Sequence, residues 1–133
     1  MKRMLLFLFG TVLLLGSCEK LMNVKHLIYF ENKSNQTIYY YAEYILPDTM
    51  LSVNKPHWLK KVAPGQIREF YDSEVNDKEF KRLRNERITL FVLDKSVVDT
   101  YEWEYIRENN MILKRYEFNW QELQEMGGSV IYP

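Results

Sequence analysis

Cysteine is almost absent from this chain of 133 residues, which contains a single one, Cys18. One thiol cannot form a disulfide within the chain, and cysteine-based metal sites need several thiols. Histidine is scarce as well, because His26 and His57 are the only two and lie far apart in the sequence. We therefore expect no disulfide framework, no metal ion and no other cofactor, and we interpret both histidines as surface residues.

An excess of charge of either sign is also missing. The 18 Lys and Arg residues equal the 18 Asp and Glu residues in number. Nucleic-acid-binding domains carry a strongly basic face, so this balance argues against a nucleic-acid partner. Glycine and proline are few, at 5 and 4, whereas 10 tyrosines and 3 tryptophans are present. This composition indicates a folded domain rather than a disordered chain.

No apolar run is long enough to cross a membrane as a helix. The longest covers residues 5–15, LLFLFGTVLLL, whereas a transmembrane helix needs about 20 apolar residues. Lys2 and Arg3 precede this run and small residues follow it. A short positive head before a short apolar run is typical of a secretory signal peptide.

Residues 15–18 read Leu-Gly-Ser-Cys and resemble a bacterial lipobox. In lipoproteins with this motif the cysteine sulfur carries a lipid, and the signal peptide is cut just before the cysteine. The resemblance implies that residues 1–17 are removed and that Cys18 is lipidated. Residues 18–24 would then form the anchor and a short tether, followed by one domain over 25–133. An ordinary signal peptide with an accidental cysteine, or a buried structural cysteine, are the alternatives.

Short stretches rich in β-branched and aromatic residues recur along the rest of the chain. They cover 26–30, 36–46, 58–62, 66–71, 87–93, 110–118 and 129–132, with shorter β-rich stretches at 50–53 and 97–98. Helices are predicted near 77–84, over 100–107 with Thr100 as the cap, and from 119 to 126. The pattern predicts a mainly β fold, an antiparallel β-sandwich of about seven short strands with two or three short helices. An open α+β sheet is the alternative.

Two loops carry specific turn chemistry. Residues 63–66 read Ala-Pro-Gly-Gln, with proline and glycine at the central positions of a type II turn. We therefore predict that 58–62 and 66–71 pair as a hairpin. Asn119 begins a sequence typical of a capping box, and Gly127 offers the positive φ at which a helix ends.

The alternation of side chains along 36–46 places Tyr40 towards the core, and Tyr39 and Tyr41 together on the opposite face. Neighbouring exposed aromatic rings stack on sugars or anchor protein contacts. We therefore predict Tyr39 and Tyr41 as binding residues. The alternative is that a helix covers this face of the sheet, in which case the two rings belong to the interior.

No arrangement of catalytic residues emerges from the sequence. Glu102 and Glu104 flank Trp103, and a glycosidase needs two carboxylates beside an aromatic residue, but helix periodicity points these two about 200° apart. We interpret them as a solvated acidic surface. A local basic cluster consists of Lys81, Arg82, Arg84 and Arg87. Acidic residues interleaved with that cluster favour a salt-bridged helix surface.

Residues 88–94, ITLFVLD, and 111–133, MILKRYEFNWQELQEMGGSVIYP, provide a further resemblance. With the lipobox and the tyrosine-rich strand, they resemble small uncharacterised lipoproteins of Bacteroides-type gut bacteria. In that family an I-L-K-R-Y run precedes a short helix and a final strand that ends in Tyr-Pro. The resemblance implies an outer-membrane lipoprotein of the cell envelope, on the periplasmic or the surface side. It carries no known activity and so assigns no catalytic residue.

Together these observations predict a lipid-anchored cell-envelope protein with a non-enzymatic binding or structural domain. Its partners would be the membrane, through the lipid, and an envelope protein or a glycan. Two other function classes stay open, an envelope hydrolase such as a glycan-active enzyme and an envelope inhibitor or immunity-type protein.

Replacing Cys18 tests the predicted anchor. We expect Cys18→Ala to release the protein from membranes, because the attached lipid chains supply the attachment. Membrane fractionation and immunoblotting measure the shift from the pellet to the soluble fraction, with Asn23→Ala in the predicted tether as the control that stays in the pellet. A Cys18→Ala protein that pellets like the wild type would contradict lipidation.

Overall fold

The computed structural model describes residues 28–43, 50–69 and 87–133. Within these ranges the chain forms seven strands and three short helices. The strands are β1 (Tyr29–Asn32), β2 (Ile38–Glu43), β3 (Lys60–Val62), β4 (Ile67–Glu69), β5 (Ile88–Asp94), β6 (Lys114–Phe118) and β7 (Ser129–Tyr132). The helices are α1 (Lys95–Thr100), α2 (Trp103–Glu108) and α3 (Trp120–Glu125).

Several sequence predictions fall on other parts of the chain. The signal peptide over 1–17, the lipidated Cys18 with its tether, and His26 all lie outside the described residues. So do the helix predicted near 77–84 and the first three members of the basic cluster. Arg87, the fourth member, forms an ion pair with Glu117, whose Oε2 lies 3.7 Å from its Nε.

The strands form two sheets. One has three strands in the order β4-β1-β7, and the other has four strands in the order β3-β2-β5-β6. All pairs are antiparallel except β1 with β7, which run parallel. The predicted mainly β, sandwich-like fold is therefore confirmed. It differs from the predicted antiparallel sandwich in one parallel pair of strands, β1 with β7.

The first core lies between the two sheets, because alternate residues of each strand point inwards. Phe30 of β1 and Tyr40 of β2 stack across it with ring centroids 4.3 Å apart. α3 adds Trp120 and Leu123 to this core, and both are buried. The hydroxyl group of Tyr40 donates to the Glu69 carbonyl of β4 at 2.9 Å, so this aromatic pair also ties the edges of the two sheets together.

A second core covers the other face of the four-stranded sheet. Its buried members are Tyr41, Leu51, Phe91, Leu93, Val98, Trp103 and Ile106, supplied by β2, β5, α1, α2 and the loop before β3. The first six residues of β5 are buried, since this strand has a core on each side. This explains why its sequence is a continuous apolar run rather than an alternating one.

Asn32 is one of two polar residues that are fully buried in the described chain. Its side-chain nitrogen donates to the carbonyl groups of Gln36 at 2.8 Å and Val62 at 3.1 Å. Its side-chain oxygen accepts from the backbone and hydroxyl groups of Ser34, at 3.0 and 2.6 Å. Buried polar groups need such partners, and here the partners belong to the loop between β1 and β2 and to the end of β3.

The predicted hairpin is wrong, although its turn is right. Gln66 N donates to Ala63 O at 3.1 Å and Gly65 has a φ of 73°, as a type II turn requires. However, β3 pairs with β2 and β4 pairs with β1, so the turn carries the chain from one sheet to the other. The reason is that backbone bonds join Gly65 and Gln66 to Asn32, at 2.7 and 3.0 Å, and turn the next strand towards β1.

Local signals explain the other differences. Residues 50–53 form no strand, and 97–98 lie in α1 because Asp94 accepts from Ser96 N and starts a helix there. Thr100 ends α1 instead of capping α2. The capping box at Asn119 and the positive φ of Gly127, 72°, are both confirmed.

Replacing Asn32 tests its structural role. Asn32→Ala removes four hydrogen bonds in a buried site, and we expect the free energy of unfolding to fall by about 2–4 kcal/mol. Urea unfolding measures the loss. Asn35→Ala, an exposed position in the same loop, is the control and should change stability by less than about 0.5 kcal/mol. Equal stability of the two variants would contradict the role given to Asn32.

Candidate functional site

The predicted binding pair does not form an exposed patch. Tyr39 and Tyr41 share one face of β2, opposite the core residue Tyr40, as alternation predicts. Tyr41 is only 1% exposed, because α1 and α2 follow β5 and fold over this face. The prediction that Tyr41 is an exposed contact residue is therefore wrong, and the alternative of a helix-covered face is correct.

Tyr41 is a packing residue of the second core. Its ring stacks on Phe91 at 5.1 Å and meets Trp103 edge-on at 6.0 Å. Its hydroxyl oxygen accepts from the backbone of Ser52 at 3.0 Å, while the indole nitrogen of Trp103 donates to the Ser52 carbonyl at 2.8 Å. Two aromatic side chains thus hold the loop before β3 against the helices.

Tyr39 is half-buried at the rim of the same face. Its hydroxyl group donates to Asp99 Oδ1 at 3.2 Å, and the other oxygen of Asp99 pairs with the Lys95 ammonium group. Burial, followed by the nearby Asp99 charge, raises the pKa of Tyr39, and the hydrogen bond from Lys95 lowers the pKa of Asp99. The bonded set of Tyr39, Asp99 and Lys95 joins α1 to β2. The contact of Tyr39 with a ligand stays a prediction.

The structure exposes a different pair of tyrosines. Tyr101 and Tyr105 are 45% and 49% exposed, and their rings stack with centroids 5.1 Å apart and 19° between planes. The cause lies in α2, whose Trp103 and Ile106 are buried in the second core. At 3.6 residues per turn, burying those two positions turns Tyr105 towards solvent. Tyr101 lies before α2, where it ends α1 with an extended backbone, and its ring stacks on Tyr105 from there.

Carboxylates flank this aromatic pair. Glu104 and Glu108 are exposed and lie one turn apart on the same outer face of α2 as Tyr105. Among the described residues, neither carboxylate has an ion-pair partner. We call Tyr101, Glu104, Tyr105 and Glu108 the tyrosine–glutamate surface.

Sequence reasoning missed the tyrosines of this surface, although the signal was present. Tyr101 and Tyr105 are four residues apart, and the two residues that face the core, Trp103 and Ile106, are three apart on the other side. Glu102 and Glu104 are both exposed, as the interpretation of an acidic helix surface expects.

Another exposed aromatic residue, Trp58, lies in the loop before β3. Its indole nitrogen donates to the Ala42 carbonyl at 3.3 Å, and the His57 ring meets it edge-on at 4.5 Å. His57 is exposed, so its assignment as a surface residue is confirmed. The indole of Trp58 mainly holds this loop against the end of β2.

A cleft lies between the edge strands β3 and β4. It has a volume of about 560 Å³ and is lined by Tyr29, Lys60, Lys61, Ile67, Arg68 and Glu69. Three of these six side chains are basic and one is acidic. The cleft is therefore a local positive region on a chain with no net charge.

Comparisons with protein-family models, curated proteins and solved structures return no match. In residues 28–43, 50–69 and 87–133, no helix has the length and apolar character needed to span a membrane. The same ranges hold no group of three or more His, Cys, Asp or Glu residues placed to bind a metal ion.

The two tyrosines of β2 should respond differently to truncation. Tyr41→Ala removes a fully buried ring, and we expect it to lower the free energy of unfolding by about 3–5 kcal/mol. Tyr39→Ala should lower it by clearly less, because the ring is half-buried. Thermal or urea unfolding distinguishes them, and a Tyr41→Ala protein as stable as Tyr39→Ala would contradict the second core.

Proposed function

We propose that this chain is a lipid-anchored protein of the bacterial cell envelope that binds a protein partner through the tyrosine–glutamate surface. The sandwich domain acts as a non-enzymatic binding module. The observation that carries the proposal is the stacked, exposed pair of Tyr101 and Tyr105 beside carboxylates that lack described ion-pair partners. The signal-like residues 1–17 and the lipobox-like Cys18 support the anchoring.

Tyrosine is well suited to such a contact. It offers a large, rigid ring and a polar hydroxyl group, and it is enriched among the residues that contribute most to protein interfaces. Here α2 has six residues, and the buried Trp103 and Ile106 hold it on the sheet. Because the helix is held by its inner face, the outer rings are presented in one orientation and lose little freedom on binding.

The charges of the surface favour a partner that presents arginine or lysine. Glu104 and Glu108 have the same sign one turn apart, an arrangement that destabilises a helix slightly. A cation placed between them relieves this repulsion. The same cation can stack on the open face of a tyrosine ring, which adds a cation–π attraction.

The ring geometry favours a protein over a glycan. Tyr101 and Tyr105 stack on each other, with 19° between their planes, so one face of each ring is already covered. A sugar ring stacks on a broad open aromatic face, which this arrangement reduces. Arginine or lysine side chains need less open ring area and also use the two carboxylates.

The proposed anchor restricts where the partner can be. The six residues from 19 to 24 reach about 20 Å when fully extended, at about 3.3–3.6 Å per residue. A domain on such a tether stays beside the membrane. The partner is therefore a protein with a basic surface close to the same membrane.

Site-specific crosslinking in intact cells tests the surface. A photoreactive amino acid replaces Glu102, which is exposed beside the tyrosines, and the crosslinked species are compared between variants. We expect one discrete species with the parent protein, loss of it in Tyr101→Ser with Tyr105→Ser, and a decrease of about tenfold or more in Glu104→Gln with Glu108→Gln. A crosslinked protein whose amount does not change in these variants would not support the proposed surface.

Two exposed apolar residues elsewhere provide the matched control. Leu113→Ser with Ile131→Ser removes a similar apolar area outside the tyrosine–glutamate surface, and it should leave the crosslinked species unchanged. Thermal unfolding of all variants verifies that each domain is folded. A crosslinked species that persists in the double tyrosine variant would contradict the proposed surface.

A further inference from the structure

We propose that the cleft between β3 and β4 binds a small organic anion, a carboxylate or phosphate group on a skeleton about the size of one sugar. This site goes beyond the proposed protein contact and does not depend on it. The tyrosine–glutamate surface consists of α2 and the residue Tyr101 before it, whereas the cleft lies at the edges of the two sheets.

The walls of the cleft are held in place by bonds between the sheets. Within the described residues no strand ladder joins β3 to β4, so their edges face each other without pairing. The Glu69 carbonyl of β4 accepts from Tyr40 Oη at 2.9 Å and from Lys60 Nζ at 3.2 Å. Because Tyr40 is buried in the first core, these bonds keep the two edges at a set separation.

The strand register places a cation from each sheet on the inner side of the cleft. Lys60 is opposite Tyr40 in the ladder of β3 with β2, and Arg68 is opposite Phe30 in the ladder of β4 with β1. Residues that face each other in a ladder share a side of the sheet. Since Tyr40 and Phe30 stack between the sheets, Lys60 and Arg68 share this inner side, where Arg68 stays exposed at the edge.

The positive charge of Arg68 is not balanced by the described acidic residues. No ion pair involves Arg68 within that part of the chain. The carboxylate of Glu69 lies on the opposite, outer side of β4, where it is opposite Tyr29. An excess of positive charge at a cleft attracts counter-ions, and an anion beside Arg68 gains a forked, two-point hydrogen bond.

The size and the remaining walls favour an organic molecule over a bare ion. A volume of about 560 Å³ lies within the ordinary range for small-molecule sites, roughly 300–1,000 Å³. Tyr29 and Ile67 also line the cleft, with Glu69 on the outer side of the three-stranded sheet. They offer contacts to carbon atoms on that side, while Arg68, on the inner side, selects the anionic group.

A purely structural role for these cations makes a different prediction. Charged side chains that point inwards on edge strands prevent edge-to-edge association. In that case, neutralising Arg68 promotes aggregation and the wild-type protein shows no affinity for anions. Ligand binding and edge protection are therefore separable by experiment.

Amide chemical shifts of the full chain, purified in detergent micelles, provide the test. The labelled protein is titrated at constant ionic strength with glucuronate, with glucose 6-phosphate and with uncharged glucose. We expect saturable shifts at residues 60–61 and 67–69 with at least one anion and none with glucose. The two anions distinguish a carboxylate ligand from a phosphate ligand.

Variants then assign the binding to Arg68. Arg68→Gln should raise the Kd at least about tenfold, a loss of about 1.4 kcal/mol, and Arg68→Lys should recover part of the affinity by keeping the charge. Lys55→Gln, at an exposed cation outside the cleft, is the control and should bind like the wild type. Absence of saturable shifts, equal shifts with glucose, or an unchanged Kd in Arg68→Gln would overturn the proposal.

Discussion

The buried side chain of Asn32 is the contact on which the arrangement of the two sheets depends. It lies at the end of β1 and bonds to carbonyl groups of the loop before β2 and of Val62 at the end of β3. Its backbone also bonds to Gly65 and Gln66 in the turn after β3. One residue thus satisfies polar groups from both sheets at a place from which water is excluded, where an unpaired group would cost about 1–3 kcal/mol.

The cleft follows from this contact. Because Asn32 holds the turn after β3, the chain leaves the four-stranded sheet and continues in the three-stranded sheet as β4. A hairpin would have paired β3 with β4 and closed the edge. Instead the two strands end up on facing sheets, with Lys60 and Arg68 between them. The positive cleft is therefore a consequence of the passage of the chain from one sheet to the other after β3.

The sequence predicted what short-range rules determine. The mainly β class, the turn at 63–66 and the capping box at Asn119 depend on neighbouring residues, and each is confirmed. The partners of β3 and β4 could not be predicted, because they depend on Asn32, which lies between the predicted strands 26–30 and 36–46 and carries no long-range signal. Tyr41 was misjudged for a similar reason, since its burial depends on helices encoded more than fifty residues later.

Both faces of the four-stranded sheet are covered, and this limits which surfaces of the domain can bind a partner or a ligand. Both sides of β5 are buried, one in each core, so the inner side chains of β2 and β5 cannot meet a partner without disrupting a core. For the four-stranded sheet, recognition must therefore use the outer side of the helices or the sheet edges. Tyr105 lies on α2 with Tyr101 just before it, and Arg68, which no described acidic residue balances, lies on an edge strand. The two proposed sites thus occupy the positions that the packing leaves open, and they can bind independently because the four-stranded sheet separates the helices from the space between the sheets.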